Sequence, residues 1–476
     1  MKILEHKFIQ AAAQVFKKHQ KKCILFAVVV AIAILIPLLW PYRGDFVIRN
    51  SDALPTDNTQ EQQAQVEPIV IDCDYFIDNG SIVDGSGQAP YLGSLAIKGD
   101  SIVAVGKEGA LKPADGAQVI DAGGMIVAPG FIDPHTHTDE YWRTNPDGAP
   151  VLCQGVTTQI VGLCGSSTGD VAQYLQQVDH CAINVGTFIG YKALRRAFVA
   201  DSGKVTDEVL AKMQAKLQQA LADGAVGLSM GLSYYPQNKA TYKELLALFQ
   251  TVAPTGKLVA VHIRDEYNKV IPSVKELVQL TKESGAKVEY SHVKAAGMSN
   301  WDKQDEVLSL FDEAIAQGLN LGGDVYGYTY SSWDVAGTSD SLSEANIEKV
   351  LKNPNVMVCS DSGLTSLGYA VHPRAFANYP FILIQYVRDK QVLTIQECIK
   401  KMTSMPAESI GMQERGLLKA GYYADIVIFN LQDLKVNATR TNPNQLSLGM
   451  SYVFVNGAME IDRGALTGAK GGVVIK

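Results

Sequence analysis

The hydrophobic and polar positions of this chain fall into three textures. The first is an unbroken apolar run from Cys23 to Trp40 (CILFAVVVAIAILIPLLW). As a helix it would extend about 27 Å, close to the thickness of a bilayer core. The second consists of short alternating segments: IVIDCDYFIDNGSIVDG, SLAIKGDSIVAVG and QVIDAGGMIVAPG, returning near the C-terminus as YADIVIFN, SYVFVNGAMEI and GGVVIK. Asn79-Gly80, Gly99-Asp100 and Asn456-Gly457 stand where tight hairpin turns close. The two ends therefore predict one small β-sandwich domain, formed by residues 68–128 and 420–476.

The third texture fills residues 129–419, where short apolar runs alternate with helical patterns. The runs are MIVAPGFIDPHTH, TTQIVGLCG, AINVGTFIG, AVGLSMGL, KLVAVHIRDE, KVEYSHVKAAG, LNLGGDVYGY and NVMVCSDSG. DEVLAKMQAKLQQALADG, TYKELLALFQTVAPTG and VKELVQLTKESG space apolar residues helically and end at glycine. Repeated βα units of this kind predict an α/β fold, a (β/α)8 TIM-type barrel. An open doubly wound sheet gives the same local signals and stays open as the alternative.

Composition and charge add three constraints. With 47% hydrophobic and 19% charged residues, the 476-residue chain can bury a large core. A formal charge of -7 gives no electrostatic case for a nucleic-acid partner. Lys17, Lys18, Lys21 and Lys22 precede the apolar run, and only Arg43 and Arg49 follow it soon after. This asymmetry predicts a basic cytoplasmic segment at 1–22, a transmembrane helix at 23–40 anchoring the chain in a membrane, and a catalytic body on the periplasmic or extracellular side. A cleaved signal peptide is the rival, but Pro41, Tyr42, Arg43 and Gly44 offer no small-x-small cleavage site. Residues 41–67, polar from Asn50 onward, read as a linker. The seven cysteines form no CxxC pair, so they neither demand disulfides nor forbid them.

Candidate chemistry gathers at the ends of the predicted strands, which in a barrel converge on one face. His135 and His137 end the first run, Cys164 the second, His262 the fifth, His292 the sixth and Asp361 the eighth. Strand residues two apart point the same way, so His135 and His137 can face one ion. Imidazole, thiolate and carboxylate are ordinary zinc ligands. Each residue alone has a plainer reading: His262 or His292 as a hydrogen-bonded core histidine, Cys164 as a small apolar residue, Asp361 as a turn former before Gly363. Several buried polar groups converging without a partner would be costly, which favours the metal site.

At these residues the chain resembles the amidohydrolase superfamily and, within it, the N-acyl-D-amino-acid deacylases (D-aminoacylases). The resemblance runs from about Tyr75 to the C-terminus through APGFIDPHTHTDEY, GVTTQIVGLCG, DGAVGLSMGLSYYP, HIRDE, SHVKAAG, DVYGYTYSS, SDSG and HPRAFANYP, in the family's order. It implies a tight zinc held by Cys164, His262 and His292, with His135, His137 and Asp361 lining a second, weaker position. From its place at the end of the last strand of a metal barrel, Asp361 reads as the catalytic proton carrier; the resemblance implies Lys294, Tyr326, Ser332 and Arg374 as substrate-handling residues, the two cations as carboxylate partners. The implied reaction is zinc-dependent hydrolysis of an N-acyl-D-amino acid. The alternatives are opening of a cyclic amide such as hydantoin or dihydroorotate, cleavage of a dipeptide with a D-residue, and a non-catalytic membrane-tethered binding protein. Two departures bear on substrate preference: the stretch from His292 to Asp361 is shorter than in members with a long insertion, and Leu163 stands in place of a family asparagine.

Overall fold

The computed structural model describes residues 67–201, 203–332, 334 and 340–476. The basic segment, the apolar run 23–40 and the linker through residue 66 lie outside the described residues. Among those described, no helix is long and apolar enough to cross a membrane.

The central body is a parallel barrel. Its strands are β1 (Phe131–Asp133), β2 (Val156–Val161), β3 (Asn184–Thr187), β4 (Gly227–Gly231), β5 (Leu258–His262), β6 (Lys287–Tyr290), β7 (Leu321–Val325) and β8 (Val356–Val358). They pair in sequence order and in parallel, with Ile189–Gly190 carrying the ladder from the end of β3 onto β4. Every residue of β2, β3, β4 and β5 is buried. Strands covered on both faces read as continuous apolar runs, which is why these segments stand out in the sequence.

The covering helices start and stop on local signals. Thr206 and Thr241 accept the Val209 and Glu244 amides, capping the helices Asp207–Ala222 and Tyr242–Val252. The helix Val270–Ser284 ends at Gly285 in the left-handed conformation. Closure falls between β8 and β1: Ser362–Gly363 pairs with Thr136–His137, and the Asp361 amide donates to the His135 carbonyl at 2.9 Å. Asp133 on β1 reinforces the seam by accepting the Ser360 amide at 2.9 Å.

The two ends of the body meet, as expected. Ile69–Ile71 pairs with Leu111–Pro113 in a two-stranded sheet, and strands from both ends build a nine-stranded mixed sheet. Its hub is Tyr75–Ile82, which bonds Tyr91–Lys98 on one side and both Gln118–Asp121 and Ile126–Pro129 on the other. Ile126–Pro129 in turn receives Ile426–Phe429 from the far end of the chain.

Gly99-Asp100 and Asn456-Gly457 do make hairpin turns, but Asn79-Gly80 sits inside a strand. There the register slips between Ile77 and Gly80, and Asn79 takes φ 58°, so the pair forms a bulge. A Cβ at Gly80 would lie 2.5 Å from Val127 Cγ2, so glycine permits the sheet's close approach at this point. The segment GGVVIK also departs from expectation. Val474–Ile475 pairs in parallel with β3 of the barrel, and Gly472 lets the chain pass against Ile183, where a Cβ would lie 2.0 Å from the carbonyl oxygen.

Candidate metal centre

All six predicted ligands converge at the C-terminal ends of the barrel strands. Cys164, His292 and Asp361 follow β2, β6 and β8 with φ of 51°, 42° and 49°. For a non-glycine residue this left-handed conformation costs roughly 1–2 kcal/mol. In each case the turn is clamped. Cys164 O accepts Gln237 Nε2 at 2.9 Å, the His292 amide donates to Asp324 Oδ1 at 2.5 Å, and the Asp361 amide donates to the His135 carbonyl as described.

The donor atoms lie within a few ångströms of one another. Cys164 Sγ is 3.5 Å from His135 Nε2 and 3.9 Å from His262 Nδ1, and His262 Nδ1 is 2.9 Å from His292 Nε2. Asp361 Oδ1 lies 3.2 Å from His137 Nε2 and 3.5 Å from His135 Nε2. His135 thus belongs to three groups, one with Cys164 and His292, one with His137 and Asp361, and one with Asp324 and Cys359. His137 is partly exposed and the other five predicted ligands are buried.

The outer ring nitrogens show that a cation fits. His135 Nδ1 faces Asp324 Oδ2 at 2.9 Å, and His292 Nδ1 faces Glu266 Oε1 at 2.7 Å. With a cation in place, each Nδ1 would keep the proton against its carboxylate and turn the Nε2 lone pair toward the ion. His262 Nε2 is 2.7 Å from Ser233 Oγ, which orients the third ring. Two imidazole nitrogens and a thiol crowded into one buried space are a zinc-type donor set.

The charges agree. Burial alone would raise the Cys164 thiol, but His135 and His137 outweigh it and hold the thiol well below its ordinary value. Burial would likewise raise Asp361, yet Arg374 and the histidines keep it well below the usual carboxylate range. Glu266 is held down to about 2 against its burial by Lys294 and the two neighbouring imidazoles.

Beneath His135 lies a second layer. Asp324 accepts from His135, from the His292 amide and from the Cys359 thiol at 3.2 Å. Glu289, fully buried on β6, has no donor for either oxygen, and burial together with Asp324 pushes its carboxyl well above the usual range. Glu289 is therefore the neutral partner of an acid pair whose ionised member, Asp324, holds His135.

Of the predicted substrate residues, Lys294, Ser332 and Arg374 line the cavity above the candidate ligands, which measures about 760 Å³. Lys294 Nζ is 3.4 Å from Glu266, and Arg374 spans Asp361 at 3.0 Å and Ser332 Oγ at 3.0 Å. Tyr326 is buried behind them, its ring between the two cations, and does not line the cavity. Tyr234 does line it, with its hydroxyl 3.4 Å from His262 Nδ1.

Glu266, Asp324, Glu289, Ser233 and Tyr234 escaped sequence reasoning. Glu266 had a signal, an acid four residues after His262 in HIRDE, and Asp324 had its place at the end of the seventh run. Glu289 had none.

Fold and site together define a metal-dependent hydrolase of the parallel-barrel class. The chain belongs to the amidohydrolase family, whose model matches residues 126–468, and within it to the N-acyl-D-amino-acid deacylases. It is 31% identical to the N-acyl-D-aspartate deacylase of Alcaligenes xylosoxydans xylosoxydans, over 83% of this chain and 93% of that one. It is 29% identical to the D-aminoacylase of the same organism, over 84% and 97%. The N-acyl-D-glutamate deacylase of Bordetella bronchiseptica, solved with zinc and a phosphonate mimic of the tetrahedral intermediate, superposes with TM-score 0.78 at 29% identity, over 85% of this chain and 100% of that one.

Proposed function

We propose that this protein is a zinc-dependent amidohydrolase that cleaves the amide bond of N-acyl-D-amino acids, releasing a carboxylate and a free D-amino acid. The observation that carries this reading is the convergence of Cys164, His135, His262 and His292 with Asp361 at one barrel mouth, in a chain whose relatives are deacylases of this type. Zinc held there would polarise the acyl carbonyl and lower the pKa of a water molecule.

The chain's own groups supply the rest. Asp361 stays ionised between Arg374 and the histidines, so it can take the water proton and return it to the leaving nitrogen. Arg374 Nε has no hydrogen-bond partner and its residue is 4% exposed, which leaves a buried donor for the substrate α-carboxylate. Tyr234, on the cavity wall, places a phenol beside the reacting centre.

The test is metal analysis of the purified protein together with a panel of N-acetyl-D- and N-acetyl-L-amino acids, hydantoin and dihydroorotate. Bound zinc and turnover confined to the D-series are expected. Preference for a cyclic amide, or full activity after exhaustive chelation, would overturn the assignment.

We further propose that residues 23–40 anchor the protein in a membrane with the body outside the cytoplasm, on the strength of the apolar run and the lysines before it. Alkaline extraction of membranes should leave the full chain in the pellet, and external protease should reach the body in spheroplasts. Recovery in the soluble fraction would refute the anchor.

A further inference from the structure

Strand β4 supplies none of the six predicted ligands, yet the loop that leaves it, residues 231–237, touches two of them. Gln237 is fully buried and bridges two backbones. Its Oε1 accepts the Gly231 amide at 2.9 Å, and its Nε2 donates to the Cys164 carbonyl at 2.9 Å. Only one orientation of a side-chain amide satisfies both, because the first partner donates and the second accepts. The two loops interlock around it. A Cβ at Gly165 would lie 1.9 Å from Gln237 Oε1, and a Cβ at Gly231 would lie 2.3 Å from the Cys164 carbonyl oxygen. Ser229 Oγ, also fully buried, grips the same turn by accepting the Gly165 amide at 3.0 Å and donating to the Gly162 carbonyl. The loop then reaches a second candidate ligand: Ser233 Oγ is 2.7 Å from His262 Nε2, and the Leu232 amide donates to the His262 carbonyl at 2.9 Å.

The turn held in this way is one that a cysteine avoids. Gly162, Cys164 and Gly165 have φ of 80°, 51° and 75°, and only the glycines adopt such values without a steric cost. If its carbonyl were released, Cys164 would relax toward negative φ. Its Sγ would then leave the space it shares with His135 Nε2 at 3.5 Å and His262 Nδ1 at 3.9 Å. The direction of the thiol is therefore set by what pins the backbone behind it.

We infer that Gln237 is a positioning residue for the metal: it fixes the Cys164 backbone so that the sulfur is presented to the cation, with Ser229 as the second clamp. This rests on the zinc reading above and extends the centre to a strand that ligates nothing.

The experiment measures zinc affinity of the full chain by chelator competition and records the thiolate-to-cobalt charge-transfer absorption of the cobalt-substituted protein. Gln237→Met keeps the length of the side chain and removes both hydrogen bonds. It should weaken zinc about 10- to 100-fold and diminish the charge-transfer band. In a Cys164→Ala background, where there is no sulfur to position, the same substitution should cost less than about twofold. Ser229→Ala, a smaller change, should show the same pattern and carries the test if Gln237→Met does not fold. Unchanged affinity and band in the folded variants, or an equal loss with and without Cys164, would overturn the positioning role. A wild-type chain that binds no zinc, or whose cobalt form shows no thiolate band, would instead sink the zinc site on which the role depends.

Discussion

The two ends of the barrel use the same backbone conformation for opposite purposes. Where the chain enters β2, β4, β5, β6 and β7, the left-handed positions are glycines: Gly155, Gly224, Gly256, Gly285 and Gly318, with φ between 67° and 113°. Where it leaves β6 and β8, they are His292 and Asp361, and after β2 the left-handed Cys164 stands between two left-handed glycines, Gly162 and Gly165. At Gly256, Gly285 and Gly318 a Cβ would meet nothing within 4 Å, so glycine is there for its φ alone. At the mouth the chain bears the strain because the side chain is needed. Strain placed beside chemistry and relaxed geometry placed beside the scaffold mark which end acts and which end supports.

The sharpest way to break this contrast is Asp361→Asn. Asparagine tolerates the left-handed turn, so the backbone should hold while the proton carrier is lost. Turnover should fall by about 10³-fold with zinc content near normal, measured by steady-state kinetics and metal analysis on the same sample. Retained activity would remove Asp361 from the chemistry. The next largest effect belongs to the supporting end. Lys401 is buried there and donates to the Val356 carbonyl at 2.7 Å, just where β8 begins. Burial lowers its pKa from 10.5 to about 8. Between those values the unfolded chain binds the extra proton, so stability should rise as pH climbs from about 8 toward 10.5, by up to about 3 kcal/mol. Denaturant titrations across that window should show the rise in wild type and lose it in Lys401→Met.

The contrast also explains what the sequence could reveal. The barrel strands were legible because burial on both faces makes them continuous apolar runs, and the candidate ligands because they follow those runs directly. Asn79-Gly80 misled because a bulge and a tight turn ask for the same positive φ. Val474–Ile475 carries no mark of which sheet it joins; the close approach of Gly472 to Ile183 decides that. Glu289 was invisible, and the signals at Glu266 and Asp324 were weak, for a common reason. A carboxylate's role as a buried partner depends on what lies across the barrel from it, and in sequence each resembles a solvated charge.

Asp324 offers a mid-sized test of the mouth. Asp324→Asn keeps the shape but replaces the charged acceptor of His135, and zinc affinity should fall about 10- to 100-fold in chelator competition. An unchanged affinity would detach the second layer from the metal.

The smallest effect separates backbone strain from side-chain function most cleanly. At Gly285 φ is 67° and a Cβ would meet nothing, so Gly285→Ala adds left-handed strain without a clash. It also restricts the unfolded chain, which offsets part of the cost. The net loss should be about 1 kcal/mol, read as a lower denaturation midpoint at unchanged m-value. The turnover number should not move, because the helix-to-β6 turn lies at the end of the strand opposite His292. A comparable loss of turnover in Gly285→Ala would mean that strain at the supporting end reaches the ligands through β6, and that the two ends are not independent.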